Sequence, residues 1–232
     1  MLVALLLVSS NVAARQSESA IPVDQIIQKF TARETEFKRA LMSYTFRVDI
    51  SVQELGSRDN VVNGEYHIVF DDLFDKKGKR TVKGIGPARS TLRRISISPE
   101  DLDDIQNLES FPLTTETLQK YNIRYAGEDP VNNTPCYAFD VKSKTIEKGQ
   151  RYFEGRIWVE KSDLHVLKTY GKAVPDLGSK GSENLFPRFE TYRSETDHYW
   201  FPSTAQALDT LNFSSGAVRI RQSVTYDHYQ KP

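Results

Sequence analysis

The stretch RYFEGRIWVEKSDLHVLKTYGK, residues 151–172, decides how the rest of the chain reads. Phe153, Gly155, Ile157 and Val159 recur at period two, the spacing that puts side chains on one face of a strand. The intervening Tyr152, Glu154, Arg156, Trp158 and Glu160 form an opposite face that mixes charge with two large aromatics. Lys161, Ser162 and Asp163 break the pattern, and a second alternating run carries Val166 and Tyr170. This is a hairpin with a wholly apolar inner face.

The same alternation recurs on both sides of it. YTFRVDISV aligns Phe46, Val48, Ile50 and Val52, and GEYHIVF aligns Tyr66, Ile68 and Phe70. LRRISIS offers Ile95 and Ile97, CYAFDV offers Tyr137, Phe139 and Val141, and RFETYRSE and STAQALDTLNF read as further strands. AVRIRQSVTYDHY aligns Val218, Ile220, Val224 and Tyr226. Turn residues at Asn63-Gly64, in 127–135 and at Ser214-Ser215-Gly216 separate these runs. Short reversals between strands imply an antiparallel meander, because only hairpins close within a few residues.

Two segments have helical spacing instead. Over 22–43, Ile26, Ile27, Phe30, Phe37 and Leu41 form one stripe, with Lys29, Arg33, Glu36 and Lys38 mostly elsewhere. Pro22 suits the start, and Asp24 suits the positive end of the helix dipole. Over 98–121, Ser98 and Asp101 make a capping box around Pro99, and Leu102, Ile105 and Leu108 share a face. A second short helix is expected over 115–120, after Phe111-Pro112. Such helices are too short to stand alone and must cover apolar sheet surface. The expected fold is mainly β (α+β): a large curved antiparallel sheet, or unclosed barrel, with an N-terminal helix and short lid helices.

The chain has 232 residues, 38% of them hydrophobic and 27% charged, enough for one sizeable core and expected to form a single domain over 15–232. Lys+Arg and Asp+Glu both number 31, so no global field draws nucleic acid. Residues 1–14, with an apolar run from Leu2 to Val8 and a small-residue site at Val12-Ala13-Ala14, read as a secretory signal. No Lys or Arg precedes the run, as expected either of a start codon placed late or of a trimmed signal, and the run is too short to span a bilayer. The chain is therefore expected to be exported. Cys136 is the one cysteine, so no internal disulfide forms, and its strand context reads as a buried small hydrophobe.

Catalytic signatures are weak. His67, His165, His198 and His228 lack any metal-ligand spacing, and Ser90 and Ser162 lack a nucleophile elbow. Asp71, Asp72 and Asp75 read as an exposed hairpin tip. No catalytic residue, metal or cofactor is expected. The run of Lys76, Lys77, Lys79, Arg80, Lys83, Arg89, Arg93 and Arg94 contains no acid. It reads as a solvated edge balanced by Glu100, Asp101, Asp103 and Asp104, or as a peripheral contact to anionic headgroups over 76–94.

Three features together, the segment IIQKFTARETEFKRALMSYTFRVDISV, the inserted helices and the hairpin GRIWVEKSDLHVLKTY, resemble the outer-membrane lipoprotein-sorting (LolA/LolB-like) superfamily. EKGQRYFEGRIWVEKSDLHVLKTYGK and FPRFETYRSETDHYWFP are similar to its acidobacterial-type members. The resemblance implies an unclosed barrel with a helical lid over an apolar cavity that binds a lipid or an acylated protein. Carriers of that family have an Arg-Pro pair in an early strand, and FDDLFDKKGKRTVKGIGPARS has none, so no family residue transfers. From alternation and the lid, the expected ligand-binding residues are Tyr66, Ile68, Phe70, Leu102, Ile105, Phe111, Phe153, Ile157 and Val159. The alternative is an interaction or sensor domain of the same fold that binds an envelope protein; a spanning segment is not expected.

Overall fold

The computed structural model describes residues 21–56, 61–74, 79–108 and 111–231. The expected signal over 1–14, Lys76, Lys77 and Asp75 lie outside the described residues. Helix α1 (Val23–Leu41) is followed by β1 (Thr45–Leu55), β2 (Val62–Phe74), β3 (Arg80–Gly84) and β4 (Arg89–Ser90). Helix α2 (Pro99–Leu108) and a 3-10 turn at Leu118–Lys120 come next. The chain then runs through β5 (Tyr121–Glu128), β6 (Cys136–Ser143), β7 (Tyr152–Glu160), β8 (Val166–Val174), β9 (Phe189–Thr196), β10 (Tyr199–Phe213) and β11 (Gly216–Gln230).

The strands form one antiparallel sheet in the order β3-β2-β1-β11-β10-β9-β8-β7-β6-β5, with β4 on β2. From β5 to β11 it is the expected meander, and the first hairpin adds beside the last strand. β3 and β5 stand at opposite ends of that order, so the barrel is not closed. The connection from β4 to β5 must therefore travel from one sheet edge to the other. That journey is what brings α2 and the Phe111 segment across the concave face.

Register builds that face. Val48 lies opposite Phe70 and Tyr226, Ile50 opposite Ile68 and Val224, and Phe139 opposite Ile157. These residues join Phe153, Val159 and Phe189 in one apolar cluster. Helix α1 lays Ile26 and Phe30 on it, with the Phe30 and Phe139 rings 5.3 Å apart. Burying each such side chain contributes about 1.5–3 kcal/mol, which sets the helix on the sheet. Gly155 and Gly171 face each other across β7 and β8. A Cβ on Gly155 would stand 2.1 Å from the Tyr170 carbonyl oxygen, so only glycine permits this close approach.

The capping box forms as expected. The Ser98 N–H and hydroxyl both donate to Asp101 Oδ2, at 2.8 and 2.7 Å, and the Asp101 N–H returns a bond to Ser98 Oγ. The second short helix over 115–120 shrinks to the 3-10 turn. Thr114 and Thr117 exchange side-chain and backbone bonds there, offering the chain an alternative to helical pairing.

Several expectations need correction. LRRISIS is not a strand: the buried Glu54 carboxylate accepts the N–H groups of Arg93, Arg94 and Ile95 and takes the place of a ladder. Ile95 and Ile97 still pack on the core from that irregular segment. Strand β5 was not foreseen: it fills the stretch between the segment read as helical, ending at Tyr121, and the turn residues from Gly127. Tyr152 belongs to the main apolar cluster, packed 6.4 Å from Tyr121 at the sheet's end. Trp158 does face outward but is buried, in a small cluster with Cys136, Ala138 and Leu167, and its Nε1 donates to Asp129. Asp71 and Asp72 lie within β2 and not at a hairpin tip; Asp72 is fully buried and ion-paired with Arg80.

Candidate functional site

Buried charges fasten the helical cover to the sheet. Glu34 sits on the apolar stripe of α1, four residues after Phe30, and is 2% exposed. It accepts two bonds from Arg193 of β9, at 2.7 and 3.0 Å. Arg193 also donates to the Phe111 carbonyl at 3.0 Å and lies 4.2 Å from the Phe37 ring centre. One guanidinium thus ties α1, the inserted segment and the sheet. Burial pushes the Glu34 carboxyl upward, and the Arg193 charge pulls it back.

A second pair joins α2 to Arg151, the residue before β7. Arg151 Nε approaches Asp104 Oδ2 to 2.9 Å, both side chains almost wholly buried, but the atoms are misaligned for a hydrogen bond. Burial pushes the Asp104 carboxyl up to about 6; Arg151 opposes this, and Asp101, Asp103 and Glu100 add to it. A third pair binds Arg80 of β3 to Asp72 on both guanidinium arms, with Nε to Oδ1 at 2.6 Å. Arg80 therefore does not belong to a free cationic edge. Asp104 and Asp101 are likewise engaged within the fold and do not balance the basic run.

Two grooves open beside this cover. One, of about 580 Å³, lies between the 95–98 segment, α2 and the loop before β9; Ile105, Leu185, Phe186, Leu211 and Ile220 meet Glu100, Asp101 and Glu183 there. Bonds from Ser214 and the Gly181 N–H hold the Glu183 carboxyl down to about 2. The other groove, of about 460 Å³, opens between the C-terminal end of α1, the first hairpin and the Phe111 segment. Leu41, Met42, Phe46, Val48, Phe74 and Phe111 supply its mainly apolar walls, with Lys38 and Arg80 among the lining side chains.

Of the nine residues expected to bind ligand, Phe111 lines the 460 Å³ groove and Ile105 the 580 Å³ groove. Tyr66, Phe70, Phe153, Ile157 and Val159 lie inside the packed cluster, and Ile68 and Leu102 pack at its margin. Phe111 stacks on Phe153 with ring centres 4.6 Å apart, so the lid segment fills this part of the concave face. The alternation located the inner face but not the open space, which depends on where the helices stop. Leu41, Met42 and Phe74 were missed as wall residues. The signal was there in the apolar residues that end α1 and β2.

The histidines make local contacts. His67 pairs with Asp49 at 3.0 Å and His228 contacts Asp227. His165 lies 5.8 Å from Trp200, with burial lowering its pKa. Among the described residues, no group of three or more His, Cys, Asp or Glu side chains could hold a metal ion. Among them, too, no helix is long and apolar enough to cross a membrane. Cys136 is buried, which raises its thiol pKa.

No family model matches the chain, and no curated protein matches it in sequence. It is similar in structure to a LolA superfamily protein from Nitrosomonas europaea, at 12% identity and TM-score 0.41, covering 92% of this chain and 94% of that one. It is also similar to a DUF1329 family protein from Desulfovibrio piger, at 11% identity and TM-score 0.40, covering 87% and 91%. An outer membrane lipoprotein-sorting protein domain from Vibrio parahaemolyticus gives 12% identity and TM-score 0.37, covering 86% and 91%. These likenesses are distant, and the open-barrel fold rests on the chain's own strand order.

Proposed function

We propose that the protein binds a long apolar chain, the acyl part of a lipid or of an acylated protein, in the 460 Å³ groove, and acts as a periplasmic carrier. The carrying observation is the groove's wall: Leu41, Met42, Phe46, Val48, Phe74 and Phe111 converge on an open space of small-molecule size. Met42 is 40% exposed on that wall. Each ligand methylene buried there contributes about 0.8 kcal/mol, so an acyl chain binds without specific polar contacts. Lys38, among the lining side chains, suits an anionic headgroup. The apolar run and small-residue site at the start of the sequence fit export.

The test is displacement of a fluorescent fatty acid from wild type and from Met42→Asp. Met42 is partly exposed, so the variant folds, while a charge on the wall opposes an apolar ligand. Saturable binding by wild type and a loss of about tenfold or more in the variant are expected. No saturable binding by wild type refutes the reading; equal binding by both places the ligand elsewhere.

A further inference from the structure

The convex side of the sheet carries a second recess, remote from the acyl groove. A trough of about 740 Å³ crosses the outer faces of β5, β6, β7 and β8. Outward residues line up across strands by register: Arg124 opposite Asp140, Asp140 opposite Arg156, and Arg156 opposite Tyr170. Beside that row, Glu154 stands opposite Lys172 and within 3.7 Å of Lys142. The lining holds five cations, Arg124, Lys142, Arg156, Lys172 and Arg188, against two acids, Asp140 and Glu154.

Internal pairing consumes only part of this charge. Asp140 is shared by Arg124 and Arg156, which holds its carboxyl below the usual range. Lys172 reaches Asp176 at 2.9 Å, outside the lining. The side chains of Arg124 and Lys142 remain 77% and 70% exposed. The Arg188 guanidinium lies 5.6 Å from the ring centre of Tyr170, itself 41% exposed. Tyr170 and Arg188 also line a neighbouring groove of about 410 Å³, where Leu208 is 56% exposed. The two recesses therefore form a continuous channel around one Arg–Tyr pair.

We infer that this channel docks an extended acidic peptide, with Arg124, Lys142 and Arg188 taking carboxylates and Tyr170 and Leu208 taking apolar side chains between them. Over both recesses six cations, with Arg221 added, face four acids, with Glu190 and Asp209 added, and this excess supplies the complementarity. Shape selects among anionic partners: a recess admits a chain, whereas a bilayer presents a plane. Strands lie about 4.8 Å apart, so β5 to β10 span about 24 Å, room for about seven extended residues. The site is separate from the acyl groove, so either can fail without the other.

The test measures fluorescence anisotropy of a short labelled peptide alternating Glu and Tyr, at low ionic strength. Wild type is compared with Arg124→Gln/Lys142→Gln/Arg188→Gln and with a control, Lys29→Gln/Arg39→Gln/Lys144→Gln. All six positions are exposed, so both variants keep the fold. Saturable, salt-sensitive binding is expected, weakened about tenfold in the first variant and less than about twofold in the control. Absent binding, or equal loss in both variants, overturns the assignment. So does a first variant that loses sedimentation with phosphatidylglycerol vesicles while peptide binding is unchanged, since the surface would then serve a membrane.

Discussion

Replacing Glu34 with Ala removes one half of the pair that fastens α1 to the sheet. Both side chains are 3% exposed or less, so Arg193 would keep its charge in a buried site with no counter-ion. Breaking such a pair costs about 3–5 kcal/mol, a large share of the ~5–15 kcal/mol that holds a typical fold. Arg193→Ala should cost a comparable amount, because Glu34 is stranded and the Phe111 carbonyl loses its donor. The double variant Glu34→Leu/Arg193→Met leaves neither charge unpaired and keeps apolar volume against Phe37. It should lie within about 2 kcal/mol of wild type, far from the sum of the single losses. Urea unfolding, with midpoints and slopes compared across the four proteins, reads this directly. Simple additivity would refute the reasoning, since it would mean that each side chain acts on its own and not as a partner.

Three further outcomes follow from other contacts. The Asp104 carboxyl has a folded-state pKa of about 6, above its ordinary 3.8, so the folded protein binds the proton more tightly than the unfolded chain. Stability relative to Asp104→Asn should therefore fall as pH rises from about 4 to about 6, by at most about 3 kcal/mol, and a flat difference in urea melts across that window would contradict it. Ser98→Ala deletes the capping box of α2, costs about 1 kcal/mol, and should speed amide exchange in α2 ahead of the strands; uniform slow exchange would show a cover that does not open separately. Gly155→Ala forces a Cβ against the Tyr170 carbonyl and should lower stability by more than about 2 kcal/mol; an unchanged melting temperature would mean β7 and β8 separate freely there.

The sheet was legible because its signal is local. Alternation in β1, β2 and β11 survives into structure since each strand has a single buried face, whereas β6 and β7 also bury Cys136, Ala138 and Trp158 on the outer one. β5 escaped because its alternation is shallow: only Tyr121 is fully buried, while Ile123 and Tyr125 at the sheet edge are partly buried against the core. LRRISIS deceived in the opposite way. It alternates, but its backbone is satisfied by Glu54, a residue about forty positions earlier that no local window contains. The ion pairs were hidden for the same reason, although Glu34 on an apolar stripe was a visible anomaly. An acid at such a position needs a buried partner, and Arg193 occupies an inward position of β9. The open groove is the least local feature, formed where α1, the first hairpin and the Phe111 segment end without meeting. Ile157, by contrast, is 1% exposed in the packed cluster, and a charge placed there would report on folding and not on binding.

Photocrosslinking tests the acyl-binding reading most directly, because it reports position as well as affinity. The protein would be irradiated with a photoreactive fatty acid, in the presence and absence of excess unlabelled fatty acid, and the modified peptides mapped by mass spectrometry. The acyl-carrier account predicts competable adducts on Leu41, Met42, Phe74 and Pro112, which share the wall of the 460 Å³ groove. Adducts confined to Leu185, Leu211 and Phe213 in the other groove, or adducts that excess fatty acid does not compete, would contradict it.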